Sequence, residues 1–401
     1  MDKKKYLIIN GGSSSLKFSL YDMPEEKELI NGLIEKIGFE DSSWTLKFNG
    51  EKIVHSGYLK DHAAAFEVMM KELIDNKMIK SVDEIHGVGH RVLHGGEFYS
   101  ESVIIDDEVL NNIIDLTKLG PLHHPGEIAG IKAAIKTMPH VKQVAVFDTA
   151  FHQTMPKYNY MYATPPEYYE KYGVRKYGFH GTSHNYITDT MKKILNKDDV
   201  NLIICHIGSG ASLSAIKDGK CYNTTMGLTP LDGVIMGTRS GNIDPSIIKY
   251  IMDETGKTVD EVTNDLNKRS GLLGICGKND LRDIEDMIAQ GDEKSILAYE
   301  MFENSIVKYI AEYYFELEGE LDAIVFTAGG GQNDIDLRKA VVEKISKPLG
   351  ITLDEKANDN IARFRSEVRG IITTKDSKIP VYVEPTDEEI MILRDTYRLS
   401  E

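Results

Sequence analysis

One short design occurs twice in this chain of 401 residues. The apolar run Tyr6 to Ile9 leads into Asn10-Gly11-Gly12-Ser13-Ser14-Ser15-Leu16-Lys17, and the alternating run Phe18 to Tyr21 follows. An apolar strand, a two-glycine turn and a second strand describe a hairpin whose tip can present backbone N–H groups to an anion. The pattern is not the P-loop GxxxxGK[ST], because no helix follows and Lys17 does not succeed a glycine. A single copy reads equally well as an ordinary Gly-Ser hairpin. Near the middle of the chain, however, Asn201 to Ile216 repeats it: the apolar run Leu202 to Cys205, the tip His206-Ile207-Gly208-Ser209-Gly210, an alternating run, then the turn Lys217-Asp218-Gly219-Lys220. Two such hairpins, one per half, predict a duplicated α/β fold with a nucleotide clamped in the cleft between the halves.

The totals agree with two ordinary domains, each large enough for its own core. A hydrophobic share of 41% and a charged share of 27% are those of a soluble globular protein. With 47 Lys and Arg against 63 Asp and Glu, the net charge of −16 makes nucleic acid and anionic membranes poor partners. Any anion must be held locally. The basic start precedes an apolar run too short for a signal peptide, and no run approaches the ~20 apolar residues of a membrane span. Cys205, Cys221 and Cys276 show no CxxC spacing, which fits a reducing cytoplasm and excludes a disulfide scaffold or a cysteine zinc site.

Other stretches carry candidate chemistry. Leu46, Phe48, Ile53 and Val54 suggest a small β-meander. The segment Asp61 to Asn76 has helical spacing, with Asp61 as N-cap. Gly87-Val88-Gly89-His90-Arg91-Val92-Leu93-His94-Gly95-Gly96 sets Arg91 on a short strand framed by glycines, either a solvated turn or a carboxylate or phosphate clamp. His123 and His124 are adjacent in a restricted loop, which favours packing or substrate contact over metal ligation. Val144 to Phe147 reads as a buried strand ending in Asp148, a position for chemistry or for a helix N-cap. The Tyr- and Pro-rich region 156–177 is expected to run over the surface. It leads to His180, framed by Phe179 and Gly181 and either structural or catalytic. Arg239 stands in a second glycine frame, Met236 to Pro245. The strand Ala323 to Phe326 runs into Gly329-Gly330-Gly331, a turn that lets backbone approach a nucleoside. The run Lys294 to Leu317 is a long helix whose apolar positions serve a core or a dimer seam. Thr386 precedes the final helix in the manner of a helix start, and the glutamates after it favour the helix dipole.

Taken together, these segments resemble the acetokinase family, in the wider group of sugar kinases, actin and Hsp70-type ATPases. The matching stretches span the chain: NGGSSSLK (10–17), GHRVLHGGE (89–97), FDTAFHQTMP (147–156), GVRKYGFHGTSH (173–184), CHIGSGAS (205–212), TPLDGVIMGTRSGNIDP (229–245), FTAGGGQN (326–333) and EPTDEE (384–389). The resemblance implies duplicated ribonuclease H-like domains with an interdomain cleft, 1–150 plus 386–401 forming one and 151–385 the other. It implies reversible, in-line transfer of the ATP γ-phosphoryl group to acetate, giving acetyl phosphate and ADP in a cytoplasmic homodimer. By analogy Asn10 and Glu388 hold Mg²⁺, with Mn²⁺ as a substitute, and Lys17 and the serines face the phosphates. His206, Ile207, Gly208, Ser209 and Gly210 cradle the nucleotide phosphates. Asp280, Leu281 and Arg282, with Gly329, Gly330, Gly331, Gln332 and Asn333, line the adenosine site. Arg91 holds the carboxylate or the phosphoryl group, Asp148 assists at Arg91 and the metal, and His180 and Arg239 stabilise the transition state. Leu93, Leu122, Phe179 and Pro230 form the methyl pocket.

The chemistry accounts for these residue types. Acetate is already ionised at neutral pH and needs no strong base, so the obstacle is repulsion between a carboxylate and a polyanion. Two arginines, a histidine and a divalent cation converge positive charge on the transferring group. The chain departs from the family pattern at several positions. Gly11 replaces a frequent alanine, a change expected to be harmless. Ser209 replaces asparagine, Leu281 replaces phenylalanine, and Gly330-Gly331-Gln332 replaces Ile-Gly-Glu. Leu93 replaces a common valine, which narrows the methyl pocket and predicts a weak preference for acetate over propionate. The rivals are a propionate or other short-chain acyl kinase and, from another class, an Hsp70- or actin-like ATPase.

Overall fold

The first apolar run forms strand β1 (Lys4–Gly11), whose alternate side chains feed two separate cores. Leu7 and Ile9 pack with Leu16, Phe18 and with Phe66, Met69 and Leu73 of the helix His62–Asp75. Tyr6 and Ile8 pack on the other side with Val144, Val146, Ile392 and Leu393. A strand covered on both faces has no polar side, which is why this run is continuously apolar.

The computed structural model describes residues 3–121, 123–362 and 365–401. Contacts divide the chain into two compact units, one running to Phe151 and taking back Asp387–Glu401, the other His152–Thr386. Beside β1, the first unit contains β2 (Ser15–Met23), β3 (Lys27–Glu35), β4 (Ser43–Phe48), β5 (Glu51–Ser56), β6 (Ile85–Val92), β7 (Val103–Ile104) and β8 (Lys142–Phe147). Their order in the sheet is β5-β4-β3-β2-β1-β6-β8-β7. The second unit contains β9 (Leu202–Ile207), β10 (Ala211–Lys217), β11 (Lys220–Thr224), β12 (Ala323–Thr327), β13 (Gly370–Ile371) and β14 (Val381–Val383), in the order β11-β10-β9-β12-β14-β13.

The two sheets share one five-strand plan. β3-β2-β1-β6-β8 corresponds to β11-β10-β9-β12-β14, with the first three strands antiparallel and the next two parallel to the strand beside them. Parallel neighbours require crossovers, and helices supply them: His62–Asp75 and His124–Thr137 in the first unit, Glu293–Glu316 and Ile335–Leu349 in the second. The duplication signalled by the two hairpins is thus a duplication of whole sheets.

Local expectations fare unevenly. The meander is β4 and β5, and Asp61 caps its helix by accepting from Ala64 N at 2.9 Å. The final helix is Glu388–Ser400, but its N-cap is Asp387, which accepts from Ile390 N at 3.0 Å. Thr386 is engaged elsewhere, its Oγ1 being 2.8 Å from Ser183 Oγ. Gly329 to Gly331 form no open turn; they lie in a short helix, Ala328–Asn333. Gly87 and Gly89 do not bare the backbone for Arg91. A β-carbon on Gly89 would stand 2.2 Å from Thr396 Oγ1 and 2.7 Å from Ile392 Cγ2, so these glycines let the C-terminal helix lie close on β6.

Candidate active site

In the first unit, β6 and β8 end side by side and place Arg91 against Asp148. Arg91 donates from Nε to Oδ1 at 3.1 Å and from Nη2 to Oδ2 at 2.5 Å, a fork on a carboxylate that is only 1% exposed. Burial draws the guanidinium's pKa down, but the charges of Asp148, Glu388 and Glu127 outweigh it and hold the group above its ordinary range. Glu388 bears on Arg91 because the glycines of β6 admit its helix. Leu93 is buried just beyond the strand. Asn10, next to last in β1, pairs in register with Lys17. Lys17 is half exposed and ion-paired with Glu389, which also accepts from Ser19 Oγ at 2.5 Å.

Sequence reasoning passed over Glu127. It is 2% exposed, and both its oxygens lie 3.2 Å from Leu93 N. Burial pushes its carboxyl up to about 8 against the opposing pull of Arg91. Of the adjacent histidines, His124 is wholly buried with Nδ1 2.9 Å from Ile113 O, which makes it a packing residue. Gly11 is also less neutral than expected, since a β-carbon there would stand 2.8 Å from Gly126 O. The hairpin tip and the start of the helix His124–Thr137 approach backbone to backbone.

In the second unit, His180 is the residue before the helix Gly181–Leu195 and has φ 58°, ψ 22°. A non-glycine residue there is held at an energetic cost by its surroundings, a feature that clusters at functional sites. Its ring stacks on His206, centroids 4.1 Å apart. Around the second hairpin tip, His180 Nε2 and Arg239 Nη1 converge: a β-carbon placed on Gly210 would be 3.5 Å from the first and 3.4 Å from the second. Arg239 Nη1 touches only neutral acceptors, Pro230 O at 3.3 Å and Met236 Sδ at 3.6 Å. Among the described residues no carboxylate pairs with it, and burial pulls its pKa down. A partly buried guanidinium without a counter-ion beside a histidine is a place for an anion.

The same unit holds a pocket of about 580 Å³. It brings together Gly208, Ser209, Asp280, Leu281, Arg282, Gly329, Gly330 and Asn333 of the residues expected around a nucleotide. His206, Ile207 and Gly210 do not line it, and neither do Gly331 and Gln332. Gly331 is buried against Phe326, and Gln332 Nε2 donates to Val368 O at 3.2 Å. Asp280 caps the helix Leu281–Ala289 and is forked by Arg282. Glu285 and Asp334, which no sequence motif marked, stand on the pocket wall. Burial, then the neighbouring Asp334, push Glu285 up to about 8, while Tyr299 Oη donates to Asp334 at 2.9 Å. Of the residues expected to form a methyl pocket, Leu93 lies in the first unit and Phe179 and Pro230 in the second; Leu122 lies outside the described residues.

Duplicated sheets, an arginine and a histidine facing one point, and a pocket of about 580 Å³ suit a phosphotransferase, a kinase of the two-sheet α/β class. A family model described as the acetokinase family matches residues 5–394. The chain belongs to the acetokinase family. It is 50% identical to an acetate kinase of Bacillus cytotoxicus over 398 residues, 98% of each chain. It is 49% identical to that of Bacillus subtilis over 399 residues, 99% of each. Among solved structures, an acetate kinase of Porphyromonas gingivalis superposes with a TM-score of 0.93 at 41% identity, covering 99% of this chain and 100% of that one. A propionate kinase of Francisella tularensis does so with the same score at 43% identity and the same coverage.

Proposed function

We propose that this chain transfers the γ-phosphoryl group of ATP to acetate, forming acetyl phosphate and ADP, and catalyses the reverse reaction. The observation that carries this reading is Arg239, a partly buried cation without a carboxylate partner among the described residues, facing the same point as His180 Nε2. Acetate is ionised and attacks through a carboxylate oxygen. An O–P bond forms as the bond to the β-phosphate oxygen breaks, and ADP leaves with the electron pair. No proton must be removed from the nucleophile, so the protein's task is electrostatic and positional.

Arg91, locked by Asp148, offers a fixed guanidinium face to the acceptor or the transferring group. Arg239 and His180 neutralise charge on the equatorial oxygens. Leu93, Phe179 and Pro230 supply apolar surface for the methyl group. Asn10 and Glu388 offer an amide and a carboxylate oxygen from one unit, a hard-donor set that suits Mg²⁺, which keeps waters and substrate phosphates as its other ligands. When bound, the cation offsets the charge of the nucleotide phosphates. Lys17, released from Glu389, would pair with a phosphate. The 580 Å³ pocket takes the nucleoside. The reading also carries a cytoplasmic homodimer, which light scattering at the mass of two chains would support.

Hydroxylamine trapping in the presence of ATP, Mg²⁺ and acetate tests the reaction. Acetyl hydroxamate is expected; ATP turnover without it would indicate a partner-regulated ATPase. The propionate kinase of similar fold favours a second reading, a propionate kinase. Comparing kcat/KM for the two acids decides between them, with acetate expected to lead and a clear propionate preference overturning the assignment.

A further inference from the structure

His180 is bonded on one side to a hydroxyl shared with another histidine. Its Nδ1 lies 2.9 Å from Ser212 Oγ, and the same oxygen lies 2.9 Å from His184 Nε2. Ser212 is fully buried on β10, in register with His206 on β9, so the sheet itself sets it under the His180 ring. His184 follows on the first turn of the helix that His180 begins.

A serine hydroxyl has one hydrogen and accepting lone pairs, so between two ring nitrogens it donates to one and accepts from the other. In one arrangement His184 Nε2–H donates to Ser212 and Ser212 donates to His180 Nδ1. In the other, His180 Nδ1–H donates to Ser212 and Ser212 donates to His184 Nε2. The second leaves the remaining proton of His184 on Nδ1. That nitrogen is buried and has no hydrogen-bond partner among the described residues. Burying an N–H without an acceptor is the costlier outcome, whereas the first arrangement leaves only a bare ring nitrogen there. His184 cannot escape by taking a second proton, because burial and the neighbouring His152 and His206 push its pKa well below the ordinary value.

We propose that Ser212 and His184 are positioning residues that hold His180 as the Nε2–H tautomer, so that a neutral His180 presents an N–H donor to the transferring phosphoryl group. The proposal rests on His180 being a transition-state donor. Its consequence is that the donor exists without protonating the ring: the proton that the phosphoryl oxygen meets is set by a hydrogen bond on the far side of the imidazole.

The test is long-range ¹H–¹⁵N NMR of the histidine rings in the full chain, with the His180 signal assigned by its loss in His180→Gln. Protonation at Nε2 of both His180 and His184 is expected; a His180 proton on Nδ1 overturns the proposal whatever any variant does. In Ser212→Ala the His180 signal should become a tautomer mixture. Its kcat should fall about five- to tenfold, roughly the loss of one hydrogen bond, with KM for acetate and ATP within about twofold. Ser212→Thr, which keeps the hydroxyl, should recover most of it. An unchanged kcat and tautomer in Ser212→Ala would also overturn the proposal. The functional premise fails separately: wild-type turnover in His180→Ala removes the donor role while leaving the measured tautomer as it is.

Discussion

Arg91 and Arg239 carry the same charge in opposite circumstances. Arg91 is forked to the buried Asp148, so Arg91→Ala removes a bidentate partner from a carboxylate that is 1% exposed. Breaking a buried pair costs about 3–5 kcal/mol, so that variant should lose both turnover and thermal stability. Arg239 has no such pair among the described residues, so Arg239→Ala should lower kcat by about 10³-fold or more while Tm stays the same or rises. Circular-dichroism melts beside steady-state kinetics would separate the two; a large fall in Tm for Arg239→Ala would show that its contacts with Pro230 O and Met236 Sδ carry structural weight. Neither role could be read from the local sequence, since both arginines sit between glycines and look alike there.

Glu127 gives a pH-dependent prediction at the same scale. Burial raises its folded pKa from 4.5 to about 8. Between those values the folded form keeps a proton that the unfolded chain has released, so ν for the native state exceeds ν for the unfolded state and stability falls as pH rises through that window. Glu127→Gln cannot titrate. Its Tm relative to wild type should therefore climb from pH 5 to pH 8, and a difference that is flat with pH would show that the carboxyl titrates normally.

At the scale of elements, a close approach brings site residues of the first unit to their places. The Gly87-Val88-Gly89 stretch lets the helix Glu388–Ser400 lie on β6, and that helix carries Glu388 toward Arg91. Gly89→Val would drive side-chain carbon into Thr396 and Ile392. It should displace the helix, lower Tm by several degrees and raise the Mg²⁺ concentration needed for half-maximal turnover; an unchanged requirement would separate the helix from the metal. The glycine frame of Arg91 was legible as sequence, but its purpose was not. What a strand glycine makes room for depends on which residue lies across from it, here residues just over 300 positions later. The hairpins are the contrary case. Their strands, tips and turns are set by neighbours in the chain, so both were readable directly, as was the Asp61 cap. Thr386 misled because Asp387, one residue on, is the better-placed oxygen for Ile390 N.

At the scale of the molecule, the first unit is discontinuous: its sheet needs the C-terminal segment to cover its second core. Ile392 and Leu393 cover Tyr6, Ile8, Val144 and Val146. Truncation after Thr386 should therefore unfold the first unit and leave the second folded. Limited proteolysis would show this as a surviving fragment covering His152–Thr386, and an equally resistant first unit would refute it. The second unit has its sheet and pocket within one continuous stretch.

The sequence by itself determined the duplicated α/β plan, the two hairpins and the family, because period-2 apolar runs, glycine tips and ordered motifs are local properties. Tertiary structure alone decided which cation has a counter-ion, which carboxyls burial pushes above their ordinary range, and which ring nitrogen of His180 bears its proton. Those depend on charge, desolvation and hydrogen-bond partners contributed by residues distant in the chain, and a linear sequence does not state who its distant neighbours are.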